Sequence, residues 1–230
     1  MKALAIITAR GGSKRIPRKN IRDFCGKPII AYSVEAALAS SVFDTVMVST
    51  EDREIGEIAQ KYGAELPFYR SEKCASDHAT TTDVLNEVLE EYEKRGQSFD
   101  LACCIYPTAP FITAARLKEA YETLSASDAD TLLPVVRFSY PPQRCLVVRE
   151  GKLIFRDPEY LSVRSQDLEP LYHDAGQFYF FRTEGFKKSG NILSGSILPL
   201  VLPETEVQDI DTEEDWQLAE LKYRLLRKDI

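Results

Sequence analysis

The chain is poor in the residues on which several enzyme classes depend. Histidine occurs only twice, at His78 and His173. No histidine-rich metal centre can be built from two such residues, and no Ser-His-Asp spacing of a hydrolytic triad stands out. The cysteines are five (Cys25, Cys74, Cys103, Cys104 and Cys145). Their odd number and the lack of a C-x-x-C spacing argue against a zinc site, a redox motif and a disulfide framework. Cys103 and Cys104 lie in an apolar run and read as small buried hydrophobes. This usage fits a reduced, cytoplasmic protein. Long apolar runs are missing as well. Ala3–Ile7 is too short for a signal-peptide core and leads into a basic loop instead of a cleavage site, and no stretch approaches membrane-spanning length. Neither G-x-x-x-x-G-K-[ST] nor G-x-G-x-x-G occurs, which counts against P-loop kinases and dinucleotide-binding enzymes. No internal repeat or low-complexity segment is present.

Positive charge is in the minority: the formal net charge is −7 over 230 residues. Nucleic acid and anionic membrane are poor matches as partners for such a protein. The basic residues are nevertheless concentrated. Arg10, Lys14, Arg15, Arg18, Lys19 and Arg22 fall within thirteen residues, a local density suited to a small polyanionic substrate.

Apolar runs and amphipathic segments alternate from the N-terminus. Ala3–Thr8, Thr45–Ser49, Leu101–Tyr106 and Thr131–Val136 read as buried strands, with Glu65–Tyr69 as a further candidate. Between them lie predicted helices: one from Pro28 with Ile30, Val34 and Leu38 on one face, then Glu54–Tyr62, Thr80–Lys94 and Ala114–Leu124. Strands that are apolar throughout and alternate with helices predict an α/β fold. The expected sheet is Rossmann-like, mostly parallel and covered by helices on both faces, in one domain spanning residues 1–230. The rhythm breaks at residues 138–172, where Pro141, Pro142, Pro158 and Pro170 accompany short strand candidates at Leu146–Val148 and Leu153–Phe155. This segment reads as an insertion. Strands return at Gln177–Phe181 and Ser196–Leu202. A last helix starts near Thr212, with Asp215 completing a capping box and Trp216, Ala219, Tyr223 and Leu226 giving an apolar face.

Four clusters carry chemistry. The first is the loop after the first strand, Ala9–Asn20. In open parallel sheets ligands sit beyond the carboxyl ends of the strands. Gly11 and Gly12 would let backbone N–H groups approach a phosphate chain, and Arg10, Lys14 and Lys19 would supply charge. A solvated basic loop is the bland alternative. The second is Asp209-Ile210-Asp211. If extended, it aims both carboxylates to one side and Ile210 to the core, which suits Mg²⁺ shared with phosphate oxygens. Helix capping by Asp211 fits this segment equally well. The third is Arg70–Thr81, where Arg70 at a strand end is a candidate carboxylate partner and Ser76, Thr80 and Thr81 also fit as helix caps. The fourth is Tyr172–Gln177, a polar cluster before an apolar strand.

Together these segments resemble the acylneuraminate cytidylyltransferases, or CMP-sialic acid synthetases. The matching motifs are A-R-G-G-S-K-x-I-P-x-K-N-I over Ala9–Ile21, R-x-x-x-x-A-S-D over Arg70–Asp77, P-T-A-P over Pro107–Pro110, and D-I-D near the end, in that order. The resemblance implies that Arg10, Gly11, Gly12, Ser13, Lys14, Lys19, Asn20 and Thr81 bind CTP. It implies that Asp209 and Asp211 hold Mg²⁺, and that Arg70 contributes to a sugar-acid site with Tyr106, His173, Asp174 and Gln177. It also implies a homodimer joined through residues 138–172. Family members often carry Gln where this chain has Tyr106. With Ser139–Arg144 and His173–Tyr179, this departure is most similar to the branch that acts on pseudaminic acid, a nine-carbon relative of sialic acid. N-acetylneuraminic, legionaminic and deoxyoctulosonic acids are the alternatives within the class. A CTP-binding regulatory domain without turnover is the alternative outside it. The implied reaction is attack of the anomeric hydroxyl on the α-phosphorus of CTP with loss of pyrophosphate. Lys19 is assigned to the α-phosphate, Arg10 and Lys14 to the leaving group, and no residue is assigned as general base.

Overall fold

A computed structural model describes residues 1–76 and 78–227. The chain runs β1 (Ala3–Thr8), β2 (Asp23–Phe24), β3 (Lys27–Pro28), α1 (Ile29–Ser40), β4 (Thr45–Ser49), α2 (Arg53–Lys61), α3 (Glu72–Ala75), α4 (Thr81–Lys94), β5 (Leu101–Ile105) and α5 (Ala114–Ser125). It continues through β6 (Thr131–Arg137), β7 (Leu146–Arg149), β8 (Lys152–Phe155), β9 (Tyr172–Asp174), β10 (Phe178–Arg182), α6 (Thr183–Ser189), β11 (Ile197–Val201) and α7 (Glu213–Arg227).

The central sheet has the order β11-β6-β10-β5-β1-β4, with β9 paired to β6. Strands β4, β1, β5, β6 and β11 point the same way, and β10 and β9 run against them. The expected mostly parallel α/β sheet is therefore present, with two of its seven strands reversed. Alternate side chains of β1 divide between two cores: Ala3, Ala5 and Ile7 pack beneath Ile30 and Val34 of α1 and Leu117 of α5. Leu4 and Ile6 pack against Leu85, Val88 and Tyr92 of α4. That division explains why the strands are apolar at every position. A third cluster gathers Ile16, Phe24, Ile29, Ile210 and Trp216, and so fastens the basic loop and the D-I-D segment to one base.

Three expectations are corrected. Glu65–Tyr69 forms only a single bridge, between Glu65 and Met47; Pro67 has no N–H to extend a ladder. Leu38 is 42% exposed and Leu226 45%, so neither closes the apolar stripe assigned to its helix. The capping boxes are found at Thr80 with Asp83 and at Thr212 with Asp215. Cys103 and Cys104 are fully buried, and the five cysteines are free thiols. Residues 138–172 leave the sheet after β6, form the separate β7–β8 hairpin, and return as β9. Among the described residues, no helix is long and apolar enough to cross a membrane.

Candidate active site

Chain direction places the site. β1 and β5 are parallel neighbours, so the loops after Thr8 and Ile105 open at the same edge of the sheet. A polar cavity of about 550 Å³ lies there, walled by Arg10, Ser13, Lys14, Arg15, Lys19 and Asn20 from the first loop. Arg70, Cys74, Ser76, Thr80 and Thr81 come from the segment leading into α4, and Tyr106, Pro107 and Thr108 from the end of β5. Asp77, at the end of the R-x-x-x-x-A-S-D match, lies outside the described residues.

The six clustered basic residues divide into two groups. Arg10, Lys14, Arg15 and Lys19 line the cavity. Arg18 and Arg22 instead fasten the loop to its surroundings. Arg18, at φ 54°, is ion-paired with Asp52 and Glu54. Its hydrogen bond holds the Asp52 carboxyl below the usual carboxylate range. Arg22 pairs with Glu213 at 2.6 Å and lies 4.5 Å over the Trp216 ring. Asn20 is buried and donates its side-chain N–H to the Arg10 carbonyl at 2.8 Å, which closes the loop on itself.

Gly11 is placed otherwise than a backbone phosphate cradle requires. The Gly11 N–H donates to Glu51 at 2.7 Å, and a Cβ on Gly11 would meet an Asp52 carboxylate oxygen at 2.5 Å. Gly11 is therefore required by the close approach of the β4–α2 turn. Neither Gly11 nor Gly12 lines the cavity.

Lys19 joins the cavity to the D-I-D segment. Its ammonium donates to the Ile210 carbonyl at 2.6 Å and lies 3.7 Å from Asp211. Burial lowers the Lys19 pKa, while Asp211 and Asp209 act in the opposite direction. Ile210 is buried, with Asp209 exposed and Asp211 half-exposed, the alternation expected of an extended segment. Asp211 also accepts from Arg15 at 2.7 Å. The helix N-terminus is capped by Thr212 and Asp215, so its capping does not require the Asp211 side chain. No group of three or more His, Cys, Asp or Glu side chains converges on a point among the described residues. The donor set that remains, two carboxylates beside a polyanion site, fits an ion that takes most of its ligands from phosphate and water.

Arg70 is buried, and desolvation lowers its pKa. It donates to the Ser49 hydroxyl at 3.1 Å and the Ser49 carbonyl at 2.5 Å, and lies 3.7 Å from Glu51. Tyr106 is fixed through its backbone, donating N–H to Gln177 and accepting from the Ser33 hydroxyl at 2.8 Å. Three expected sugar contacts lie elsewhere. His173 is on the exposed β9 with its ring 4.9 Å from that of Phe138. Asp174 accepts from the Tyr179 hydroxyl and the Gly176 N–H, each at 2.7 Å. The buried Gln177 amide is taken up by the Glu206 carbonyl. Conversely, Thr8 and Thr108 line the cavity without an assigned role, as do Arg15, noted only as part of the basic cluster, and Ser76, noted as a helix cap. Thr8 ends the first strand and Thr108 lies in the P-T-A-P match just past β5, so one was visible as a strand end and the other within a motif.

A family model described as cytidylyltransferase matches residues 4–209. The chain belongs to the cytidylyltransferase family. It is 43% identical over 226 residues to the pseudaminic acid cytidylyltransferase of Campylobacter jejuni subsp. jejuni serotype O:2, covering 98% of this chain and 97% of that one. It is 34% identical to the CMP-N,N'-diacetyllegionaminic acid synthase of Legionella pneumophila, over 96% of this chain and 95% of that protein. N-acylneuraminate cytidylyltransferase A of Danio rerio is 33% identical over 97% of this chain, which spans half of that longer protein. A solved structure of CMP:2-keto-3-deoxy-manno-octonic acid synthetase complexed with CTP superposes with a TM-score of 0.71 at 18% identity, covering the whole of both chains. That likeness concerns the fold. The cytidylyltransferase is thus a nucleotidyltransferase, and its cavity lies at the sheet edge where the fold places ligands.

Proposed function

We propose that this cytidylyltransferase transfers CMP from CTP to pseudaminic acid, a nine-carbon sugar acid related to sialic acid, and releases pyrophosphate. The observation that carries the reading is the content of one cavity. Four basic side chains of a single loop stand with Arg70 and Tyr106 in a space of about 550 Å³. A triphosphate needs the first group and a sugar carboxylate the second. Near-complete coverage of a pseudaminic acid cytidylyltransferase at 43% identity supports the choice of acceptor.

In this reading the anomeric oxygen of the sugar forms a bond to the α-phosphorus while the bond from that phosphorus to the bridging oxygen breaks. The hydroxyl proton passes to solvent. Negative charge spreads over the phosphate oxygens, and fixed cations meet it without reorganising. Lys19, held by the Ile210 carbonyl, stands at the α-phosphate; Arg10 and Lys14 stand at the departing pyrophosphate. Arg70, already oriented by Ser49, turns its remaining donors to the sugar carboxylate. Asp209 and Asp211 are the side chains that would hold Mg²⁺, which supplies charge neutralisation and lowers the pKa of a bound hydroxyl.

A homodimer and a cytoplasmic location belong to the same proposal. The hairpin in 138–172 presents Val148, Leu153 and Ile154 to solvent at 70%, 69% and 43% exposure, an apolar surface suited to a second copy. Free thiols suit a reducing compartment. The test of the acceptor is pyrophosphate release with CTP and Mg²⁺ across pseudaminic, legionaminic, N-acetylneuraminic and deoxyoctulosonic acids. The highest kcat/KM is expected for pseudaminic acid. A higher value for any other acid would refute the assignment, and binding of CTP without turnover of any acid would favour a regulatory domain.

A further inference from the structure

Four basic residues of the loop after β1 are held to different degrees. Arg18 and Arg22 do not line the cavity and pair with Asp52, Glu54 and Glu213. Lys19 lines it but is tethered to the Ile210 carbonyl at 2.6 Å, with 19% of its side chain exposed. Arg15 lines it too, yet 66% of its side chain is exposed. Its guanidinium donates to Asp211 Oδ1 at 2.7 Å, and the Lys19 ammonium lies 3.7 Å from that same oxygen. One of the two candidate metal ligands thus already carries two cations.

A divalent ion on Asp211 would stand beside a guanidinium and an ammonium, and like charges at such range repel. Lys19 can withdraw only by giving up the Ile210 carbonyl. Arg15 is held by an exposed ion pair, which is worth little and opens at small cost. A triphosphate in the cavity that Arg15 lines offers the guanidinium another anionic partner, one that it can grip with two parallel hydrogen bonds. The A-R-G-G-S-K-x-I-P match leaves position 15 open, so the pairing with Asp211 is visible only in the structure.

We propose that Arg15 is a charge gate on Asp211: it neutralises the carboxylate while the cavity holds no polyanion, moves to the triphosphate when CTP binds, and so uncovers Asp211 for the metal ion. Nucleotide and metal then tighten each other's binding, by linkage in equal measure. The gate rests on the reading of the cavity as the CTP site and of Asp211 as a metal ligand.

The test compares four full-length proteins, native, Arg15→Ala, Asp211→Asn and the double variant, by binding alone, with no sugar acid present. CTP is first titrated calorimetrically in EDTA, so that no metal contributes. Arg15→Ala is expected to weaken CTP about threefold and Asp211→Asn to tighten it about threefold to fivefold, the range of an exposed ion pair. The double variant should match Arg15→Ala within about twofold, because Asp211 acts on CTP through Arg15. Mn²⁺ is then titrated without nucleotide, with the free ion followed by electron paramagnetic resonance. Arg15→Ala should bind it about threefold to fivefold more tightly than the native chain. CTP should tighten Mn²⁺ binding by a larger factor in the native chain than in Arg15→Ala. Arg15→Gln, which keeps the length of the side chain, should behave as Arg15→Ala. Effects on CTP that multiply in the double variant, or Mn²⁺ binding unchanged by Arg15→Ala, would overturn the gate. Failure of the native chain to bind CTP would instead refute the reading of the cavity on which the gate rests.

Discussion

Glu51 lies outside the motifs, yet it links two walls of the site, and replacing it with Gln tests how Arg70 is held. One Glu51 oxygen accepts the Gly11 N–H at 2.7 Å, and a Gln carbonyl keeps that bond. The other oxygen is buried without a hydrogen-bond partner, 3.7 Å from Arg70. In Glu51→Gln the amide NH₂ would face the guanidinium there, donor against donor. Coulomb's law gives two unit charges 3.7 Å apart about 4.5 kcal/mol at an effective dielectric of about 20, and about 1.1 kcal/mol in water. The Arg70 side chain is 5% exposed and that of Glu51 27%, which places the pair between these limits. Desolvation of Arg70 offsets part of the attraction, leaving a net loss of about 2 kcal/mol. For a domain of this size that lowers Tm by about 4–8 °C. The looser guanidinium should raise KM for the sugar acid about tenfold and leave KM for CTP within about twofold. Thermal unfolding and initial rates of pyrophosphate release measure both. A variant with native Tm and native KM would mean that Ser49 alone orients Arg70.

Other outcomes follow from the same geometry. Lys19→Met should lower kcat about 10²- to 10³-fold, as expected for loss of a fixed donor at developing charge. Its Tm should change by less than about 3 °C, because the lost bond to Ile210 is offset by relief of a desolvated ammonium. Asp52 has a folded pKa below its unfolded value through the Arg18 hydrogen bond. Its contribution to stability is therefore present above the ordinary carboxyl pKa and is lost as pH falls through the folded value. Arg18→Ala should flatten this acid limb in a Tm-versus-pH series, and KM for CTP at neutral pH should stay within about twofold. Leu153→Asp, on the exposed hairpin, should convert a dimer to a monomer by light scattering; a dimer that persists would place the interface elsewhere.

Local pattern carried most of the fold. Strands buried on both faces read as continuous apolar runs, so β1, β4, β5 and β6 were legible, as were helices with capping boxes at Thr80 and Thr212. The reversal of β10 was not legible, because a strand buried on both faces looks alike in either direction. Glu65–Tyr69 has strand composition, but Pro67 limits its pairing to one bridge.

The site was legible where charge density marked it, in Arg10, Lys14 and Lys19. It was less so where tertiary partners claim a side chain. Gln177 is taken by a carbonyl 29 residues away in the chain, and Gly11 by Glu51 and Asp52. Arg18 and Arg22 look like their cavity-facing neighbours in sequence, and only the distant Asp52, Glu54 and Glu213 make them clamps.

The central claim is that the basic loop and the two aspartates act together on CTP and a nine-carbon acid. The most direct measurement is pyrophosphate release by the native chain and by Asp209→Asn/Asp211→Asn, with CTP, pseudaminic acid and titrated Mg²⁺. Mg²⁺-dependent turnover by the native chain and at least about a 10³-fold loss in a variant with native Tm are expected, as for removal of the carboxylate ligands of a catalytic metal. Full turnover by the double variant, or native turnover that is independent of Mg²⁺, would contradict the account.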